Sequence, residues 1–226
     1  MRTPVHSGPY VLLNAEGQPI QVEMPQEEME EIAVKFHTLF YSQLNRTWAN
    51  TFYMGKSLWQ AATDLWIYQE LIWETEPDLI IETGTGEGGC ALYFAHLLDN
   101  MGIAGKVVTV DVVKRGVVDH PRVVQLLGSS VSPKIMKIMR EEVGRSKSVI
   151  IFLDSSHAKS YVLRELRMYS KFLKKDEYLV VEDTNTVDVG TAMREFLSKH
   201  PEFAADLSRE KFFLTFHPSG YLRRRF

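Results

Sequence analysis

Apolar and polar residues follow two rhythms along the chain, and the change falls near Pro77. Before it the spacing is helical. Pro25 stands where it can open a helix, because its fixed φ and missing N–H cost nothing in a first turn. Met29, Ile32, Phe36, Leu39 and Phe40 then share one face. Residues 1–22 are punctuated by Pro and Gly and read as loop or a short hairpin, and 45–57 reads as loop. A second helix is predicted over 61–75. Trp59, Trp66 and Trp73 recur seven apart, which brings them near one face. That stripe suits packing against the main domain or a second subunit, or an aromatic wall for a ring-shaped substrate. After Pro77 come short β-branched runs: DLIIE at 78–82, KVVTVD at 106–111, RVVQLLG at 122–128, SVIIFLD at 148–154 and YLVVED at 178–183. These read as buried parallel strands. Helical stretches lie between them near 88–100, 132–143 and 157–173, the last with Val162, Leu166, Tyr169 and Leu173 in a stripe, and another follows near 189–199. Strand–helix alternation predicts a doubly wound α/β sheet. The end breaks the rhythm. Residues 212–216 and 221–225 read as two strands joined by His217-Pro218-Ser219-Gly220, hence an antiparallel hairpin.

The chain has 226 residues, 45% hydrophobic and 24% charged, which suits one core with an appendage. An N-terminal extension or lid, 1–60, and a main domain, 61–226, are expected. A net charge of -3 supplies no field for nucleic acid or anionic lipid. The run Arg223-Arg224-Arg225 is the one basic cluster and reads as an exposed chain end. Cys90 is the single cysteine, so no intrachain disulfide forms, which fits a reducing cytoplasm. It reads as a small packed helix residue. The N-terminus lacks the apolar centre of a signal peptide, and no apolar run is long enough to span a membrane. A cytoplasmic protein without membrane insertion is expected.

The stretch IIETGTGEGG at 80–89 carries the first candidate chemistry. Gly84, Gly86 and Gly89 spell the dinucleotide fingerprint G-x-G-x-x-G. In another frame, Glu82, Gly84, Gly86 and Gly88 spell E-x-G-x-G-x-G, the usual first motif of S-adenosylmethionine (SAM) methyltransferases. Both frames want a strand, a tight turn and a helix N-terminus. Ligands of open α/β sheets bind at the carboxyl ends of the strands, and acids stand at most of those ends here. Asp111 lies roughly 20–30 residues beyond the turn, where an acid accepts the ribose hydroxyls of either cofactor. Glu82 can hold the glycine loop or meet the amino-acid part of SAM. Gly128-Ser129-Ser130 can contact adenine, or a serine there can cap the next helix ahead of Pro133. Asp154, Glu182 and Asp183 converge if the fourth and fifth strands are neighbours. Three anions in one crevice call for a cation, and all-oxygen donors suit Mg²⁺, with Mn²⁺ and Ca²⁺ as alternatives. His157, three residues after Asp154, stays on the cofactor rim with an unperturbed pKa of ~6.5, suited to a general base. The other histidines lack zinc spacing, and His200-Pro201-Glu202 falls at a helix end away from this rim. No G-x-S-x-G or Walker pattern is present.

In this set the sequence resembles the cephalosporin hydroxylase / rhamnosyl O-methyltransferase family of SAM-dependent enzymes. The resemblance rests on YMG at 53–55, DLWIYQELIWETEPDLIIETGTGEGG at 64–89, VVTVD at 107–111, GSS at 128–130, FLDSSH at 152–157, YLVVEDT at 178–184 and REKFFLTFHPSGYLRRR at 209–225. It implies a Rossmann-like class I SAM methyltransferase: a seven-stranded, mostly parallel sheet with a C-terminal antiparallel hairpin and an N-terminal helical extension. It implies SAM and Mg²⁺ as cofactors and a sugar hydroxyl of a glycoside, glycolipid or polysaccharide precursor as acceptor, rhamnose- or mannose-type at first choice. Carried over by motif, Asp154, Glu182 and Asp183 are the metal ligands, and His157 with Asp154 forms the catalytic pair. Glu82, Gly84, Gly86, Gly88, Asp111, Ser129 and Asp154 line SAM. Tyr53 belongs to a segment that closes over the site, and Trp59 joins it in shaping the acceptor pocket. A homodimer is the family-like expectation. TNTVDVG at 184–190 departs from the family's more Gly/Pro-rich loop. A catechol-type O-methyltransferase has the same fold and metal logic. An NAD(P)-dependent oxidoreductase fits the glycines but leaves the acids and the hairpin without a role. A non-catalytic partner subunit leaves the whole acid–histidine set without one.

Overall fold

The computed structural model describes residues 11–13, 15–21 and 25–226. The elements run in this order: β1 (Val11–Leu13), β2 (Pro19–Gln21), α1 (Gln26–Ser42), β3 (Phe52–Tyr53), β4 (Lys56–Ser57), α2 (Ala62–Thr75), β5 (Leu79–Thr83), α3 (Gly89–Met101), β6 (Lys106–Asp111), β7 (Val123–Leu127), α4 (Pro133–Gly144), β8 (Val149–Leu153), α5 (Lys159–Tyr169), β9 (Tyr178–Val181), α6 (Val187–Leu197), β10 (Phe203–Ala205) and β11 (Tyr221–Arg224). The predicted hairpin near the N-terminus is the β1–β2 ladder, and residues 1–10 of that stretch lie outside the described residues.

The five predicted parallel strands all form. With β10 and β11 they make one seven-stranded sheet in the order β10-β11-β9-β8-β5-β6-β7. Strands β5 to β9 pair in parallel, and β11 lies antiparallel between β9 and β10. The chain leaves β5 towards β6 and β7, then returns to place β8 on the other side of β5. That reversal opens a crevice at the carboxyl ends of β5 and β8.

Alternation along the strands feeds two cores. Leu79, Ile81, Val108, Ile151 and Leu179 face α4, α5 and α6, where they meet Ile135, Met139, Leu166, Met193 and Phe196. Ile80, Val107, Ile150, Phe152 and Val180 face α2 and α3, where they meet Ile67, Tyr68, Leu71, Phe94 and Leu98. Both faces being covered explains the unbroken apolar runs. Each fully buried Leu, Ile or Phe contributes about 1.5–3 kcal/mol. Cys90 packs against the second core, and burial pushes its thiol up, as a packed residue requires.

Two expectations are corrected. The C-terminal hairpin forms, but the partner of β11 is β10, not 212–216. Phe213 has φ +61, and Thr215 and Phe216 bond to Asp64 instead of to a strand. The tryptophans do not form a packing stripe within the chain. Trp66 and Trp73 are each 57% exposed, because α2 buries its Ile67, Tyr68, Leu71 and Ile72 face. The arginine run is exposed at Arg223 and Arg225 as expected but ordered, since Arg223 and Arg224 belong to β11 and Arg223 pairs with Asp176 at 2.8 Å.

Candidate active site

Three glycines shape the turn after β5. Gly84 has φ +91, and a Cβ there would fall 1.8 Å from the Asp154 carbonyl oxygen. A side chain at 84 would therefore force the ends of β5 and β8 apart. The Gly86 N–H donates to Asp111 Oδ2 at 3.0 Å, and the Val113 N–H donates to Asp111 Oδ1 at 3.0 Å. Asp111 thus braces the turn while still lining the cleft. Gly88, at φ +85, caps α3 against Val118, whose Cγ2 would stand 2.2 Å from an added Cβ. Glu82 sits beneath this turn, 2% exposed, and the Thr109 hydroxyl donates to it. Thr109 also bonds Thr85 at 2.7 Å. Of the two roles read for Glu82, the loop-holding one matches this placement. Burial pushes its carboxyl up to about 8.

A cleft of about 590 Å³ opens at the β5–β8 reversal. Gly84, Gly86, Asp111, Asp154, His157 and Asp183 form its floor, and Tyr41, Trp48, Trp59, Gln60 and Phe216 form its wall. A second pocket of about 300 Å³ shares Asp111, Val112 and Ser155 with it and is closed by Gly128, Ser130 and Tyr161. Here Ser130 lines the pocket, while Ser129 gives its hydroxyl to a 2.8 Å bond with Tyr161. Neither serine caps α4; Ser132 does, accepting the Ile135 N–H at 3.3 Å.

The acids converge as the strand order requires. Asp154, His157 and Asp183 offer ligand atoms within 4.8 Å of one another, the one such group among the described residues. His157 Nε2 lies 3.0 Å from Asp183 Oδ2, which raises the imidazole pKa. Glu182 stands outside that group but hydrogen-bonds Asp154. It is buried, takes a bond from the Gln60 amide, and is pushed up to about 7 by burial, with Asp183 adding to the shift. Loss of solvation and the charges of Glu182 and Asp183 hold the Asp154 carboxyl well above its usual range. Carboxylates this reluctant to ionise side by side are what a divalent cation relieves, and the donor set fits a hard ion. The His200 and Glu202 side chains bond each other at 2.9 Å, and neither lines the cleft.

Tyr53 is not at this site. Its hydroxyl bonds His96 Nδ1 at 3.1 Å and its ring packs edge-on to Tyr93, because the β3–β4 ladder docks on α3. Trp59 does line the cleft, with the Arg115 guanidinium 5.9 Å from its ring centre. Sequence reasoning missed Tyr41, Trp48, Gln60, Arg115 and Phe216. Phe216 stands in the 209–225 segment without a role read for it, the other four lie outside any motif, and α1 brings Tyr41 in only by docking His37, Phe40 and Tyr41 on Phe216.

Known proteins are similar to this chain in sequence and in fold. Residues 45–225 match the family model described as Rhamnosyl O-methyltransferase/CmcI. The rhamnosyl O-methyltransferase of Mycobacterium tuberculosis H37Rv is 33% identical over 215 residues, covering 86% of each chain. Its Mycobacterium leprae counterpart is 31% identical over 213 residues, 87% of this chain and 92% of its own. Among solved structures, apo CmcI superposes with a TM-score of 0.65 at 19% identity, over 79% of this chain and 77% of that one. CmcI with Mg and SAM gives 0.64 at 18%, over 78% and 77%. These structural likenesses establish a shared fold. The chain belongs to the rhamnosyl O-methyltransferase/CmcI family.

Proposed function

We propose that this protein is a SAM-dependent, Mg²⁺-dependent O-methyltransferase whose acceptor is a sugar hydroxyl of a glycoside, glycolipid or polysaccharide precursor, of rhamnose or mannose type. The observation that carries the reading is the Asp154, His157 and Asp183 group beside the glycine turn. The names of the relatives support the chemistry, and the Mg–SAM complex of CmcI supports the cofactors.

When bound, SAM supplies the methyl group and the cation acidifies and aligns the acceptor hydroxyl. Asp154, Glu182 and Asp183 hold the cation. Burial and neighbouring carboxylates raise the pKa of both Asp154 and Glu182, and a bound cation would relieve this. Asp111 accepts the ribose hydroxyls, the turn at Gly84, Gly86 and Gly88 lets the backbone approach the cofactor, and the pocket at Ser130 and Tyr161 takes the adenine. His157 removes the proton from the acceptor hydroxyl at Nε2. The oxygen so deprotonated would take the methyl from the sulfonium, with S-adenosylhomocysteine as the leaving group. Asp183 raises the His157 pKa, and a cation holding Asp183 would relieve that shift and favour the imidazole as base. Tyr41, Trp48, Trp59 and Phe216 wall the acceptor from water, with residues 1–60 as the covering segment and 61–226 as the catalytic domain. A homodimer fits the solvent-facing Ile32, Phe36 and Leu39 of α1. No helix among the described residues is long and apolar enough to cross a membrane, and the single cysteine fits a cytoplasmic setting.

Calorimetric titration with S-adenosylhomocysteine and with NAD, each with and without Mg²⁺, tests the cofactors. The expected result is tight binding of the former and none of the latter. Methyl transfer to rhamnosides but not catechols, abolished by EDTA and restored by Mg²⁺, is the expected acceptor result. Preference for catechols would move the protein to the small-molecule reading.

A further inference from the structure

Neighbouring residues of a strand face opposite sides, so two consecutive acids do not ordinarily serve one site. Glu182 and Asp183 follow β9 directly. The Glu182 N–H still donates to Leu153 O at 3.0 Å, as a strand residue should. Asp183 then breaks the pattern with φ +55, a left-handed conformation that non-glycine residues adopt only when their surroundings enforce it. Its N–H leaves the sheet and donates to His217 Nδ1 at 3.1 Å. Its carbonyl accepts both the Thr186 N–H at 2.9 Å and the Thr186 hydroxyl at 2.8 Å.

His217 is fully buried. A backbone N–H can only donate, so Nδ1 is the unprotonated nitrogen and Nε2 carries the proton. Nε2 lies 2.6 Å from the Tyr68 hydroxyl, which therefore accepts, and Tyr68 in turn acts as a partner that lowers the Glu182 pKa. Asp64 sits behind the pair at 3.5 Å from Nε2 and is itself fixed by the Thr215 hydroxyl, the Phe216 N–H and the Tyr221 hydroxyl. One imidazole thus touches the backbone of one acid and, through Tyr68, the carboxyl of the other.

We propose that His217 is a positioning residue: a tautomer-fixed imidazole that holds the left-handed bend at Asp183 and, through Tyr68, the Glu182 carboxyl, so that two consecutive acids serve one cation. The proposal rests on the metal reading of the site given above. His217 touches neither acceptor nor cofactor, and its effect is on cation affinity. Buried partners of this kind typically govern metal affinity by roughly 10–100-fold.

The test is Mn²⁺ binding, read by electron paramagnetic resonance on the full chain saturated with S-adenosylhomocysteine. His217→Leu is expected to weaken Mn²⁺ binding by roughly 10–100-fold while S-adenosylhomocysteine affinity without metal stays as in the wild type. His217→Asn places an amide oxygen where Nδ1 stood and is expected to recover most of that loss. Tyr68→Phe, which keeps the Asp183 bond but frees Glu182, is expected to weaken Mn²⁺ roughly tenfold and carries the test should the leucine variant not fold. Wild-type Mn²⁺ affinity in a folded His217→Leu or in Tyr68→Phe overturns the proposal. So does an asparagine variant no better than leucine. A wild-type protein that binds S-adenosylhomocysteine but no Mn²⁺ overturns the metal reading itself, and this inference with it.

Discussion

At the scale of single residues, the cleft sets exposed side chains against sealed ones. His157 is 54% exposed on the cleft rim, free to meet an acceptor, whereas Glu82 is sealed under the glycine turn. His157→Ala should lower kcat by roughly 10²–10⁴-fold, the range for a lost general base, and leave S-adenosylhomocysteine affinity intact in titration calorimetry. Asp111→Ala should do the reverse, weakening the cofactor first, since its carboxylate braces Gly86 and lines the cleft. Near-normal turnover in the histidine variant would remove His157 as the base. Glu82 predicts a pH effect. Its folded-state pKa of about 8 stands above the ordinary 4.5 because of burial, so the native state binds an extra proton between these values. Its contribution therefore falls as pH rises through that window. Glu82→Gln should lift the melting temperature at pH 8 more than at pH 5, and equal shifts at both would show that Glu82 does not titrate there.

At the scale of elements, the junction between α2 and the C-terminal segment matters most. The predicted strand at 212–216 reads apolar, yet Phe212 and Phe213 are 40% and 63% exposed. Thr215 and Phe216 are instead fixed by Asp64, which accepts their hydroxyl and N–H at 2.6 and 2.9 Å and the Tyr221 hydroxyl at 2.7 Å. Asp64 is 1% exposed, so its removal leaves three donors buried and unpaired. Asp64→Ala should cost roughly 3 kcal/mol or more in urea unfolding. A loss within about 0.5 kcal/mol, typical of a surface site, would mean that water takes the carboxylate's place. Pattern alone could not find this junction, because its partners lie some 150 residues apart: Thr215 and Asp64 are separated by 151.

At the scale of the whole molecule, the sheet reversal puts the glycine turn, Asp154 and the β9 acids on one floor, and the N-terminal segment lays an aromatic wall over it. Tyr41 and Trp48 stack at 5.4 Å, and both pack edge-on against Phe216. If this wall holds a sugar ring, Trp48→Ala should raise the acceptor KM roughly tenfold, about 1.4 kcal/mol of lost ring contact. Cofactor affinity in the same variant should not change. An unchanged acceptor KM would move the acceptor off this wall.

The sequence by itself determined the doubly wound sheet, because runs of β-branched residues separated by helical stripes can be buried in few other ways. The glycine turn and Asp111 were legible too, because the glycines lie within one local strand–turn–helix unit and Asp111 ends the strand that follows it. The acids at the ends of β8 and β9 were legible for the same reason: each follows its strand directly. Only the tertiary structure decided what surrounds them. It set Asp183 in a left-handed bend on His217, drew Glu182 towards Gln60 and Tyr68, replaced Tyr53 with Tyr41 and Trp48 at the cleft, and chose Phe203–Ala205 as the partner of β11. Local pattern records which face a residue buries. It does not record which distant segment that face meets, and every one of these outcomes is a long-range hydrogen bond or ring contact.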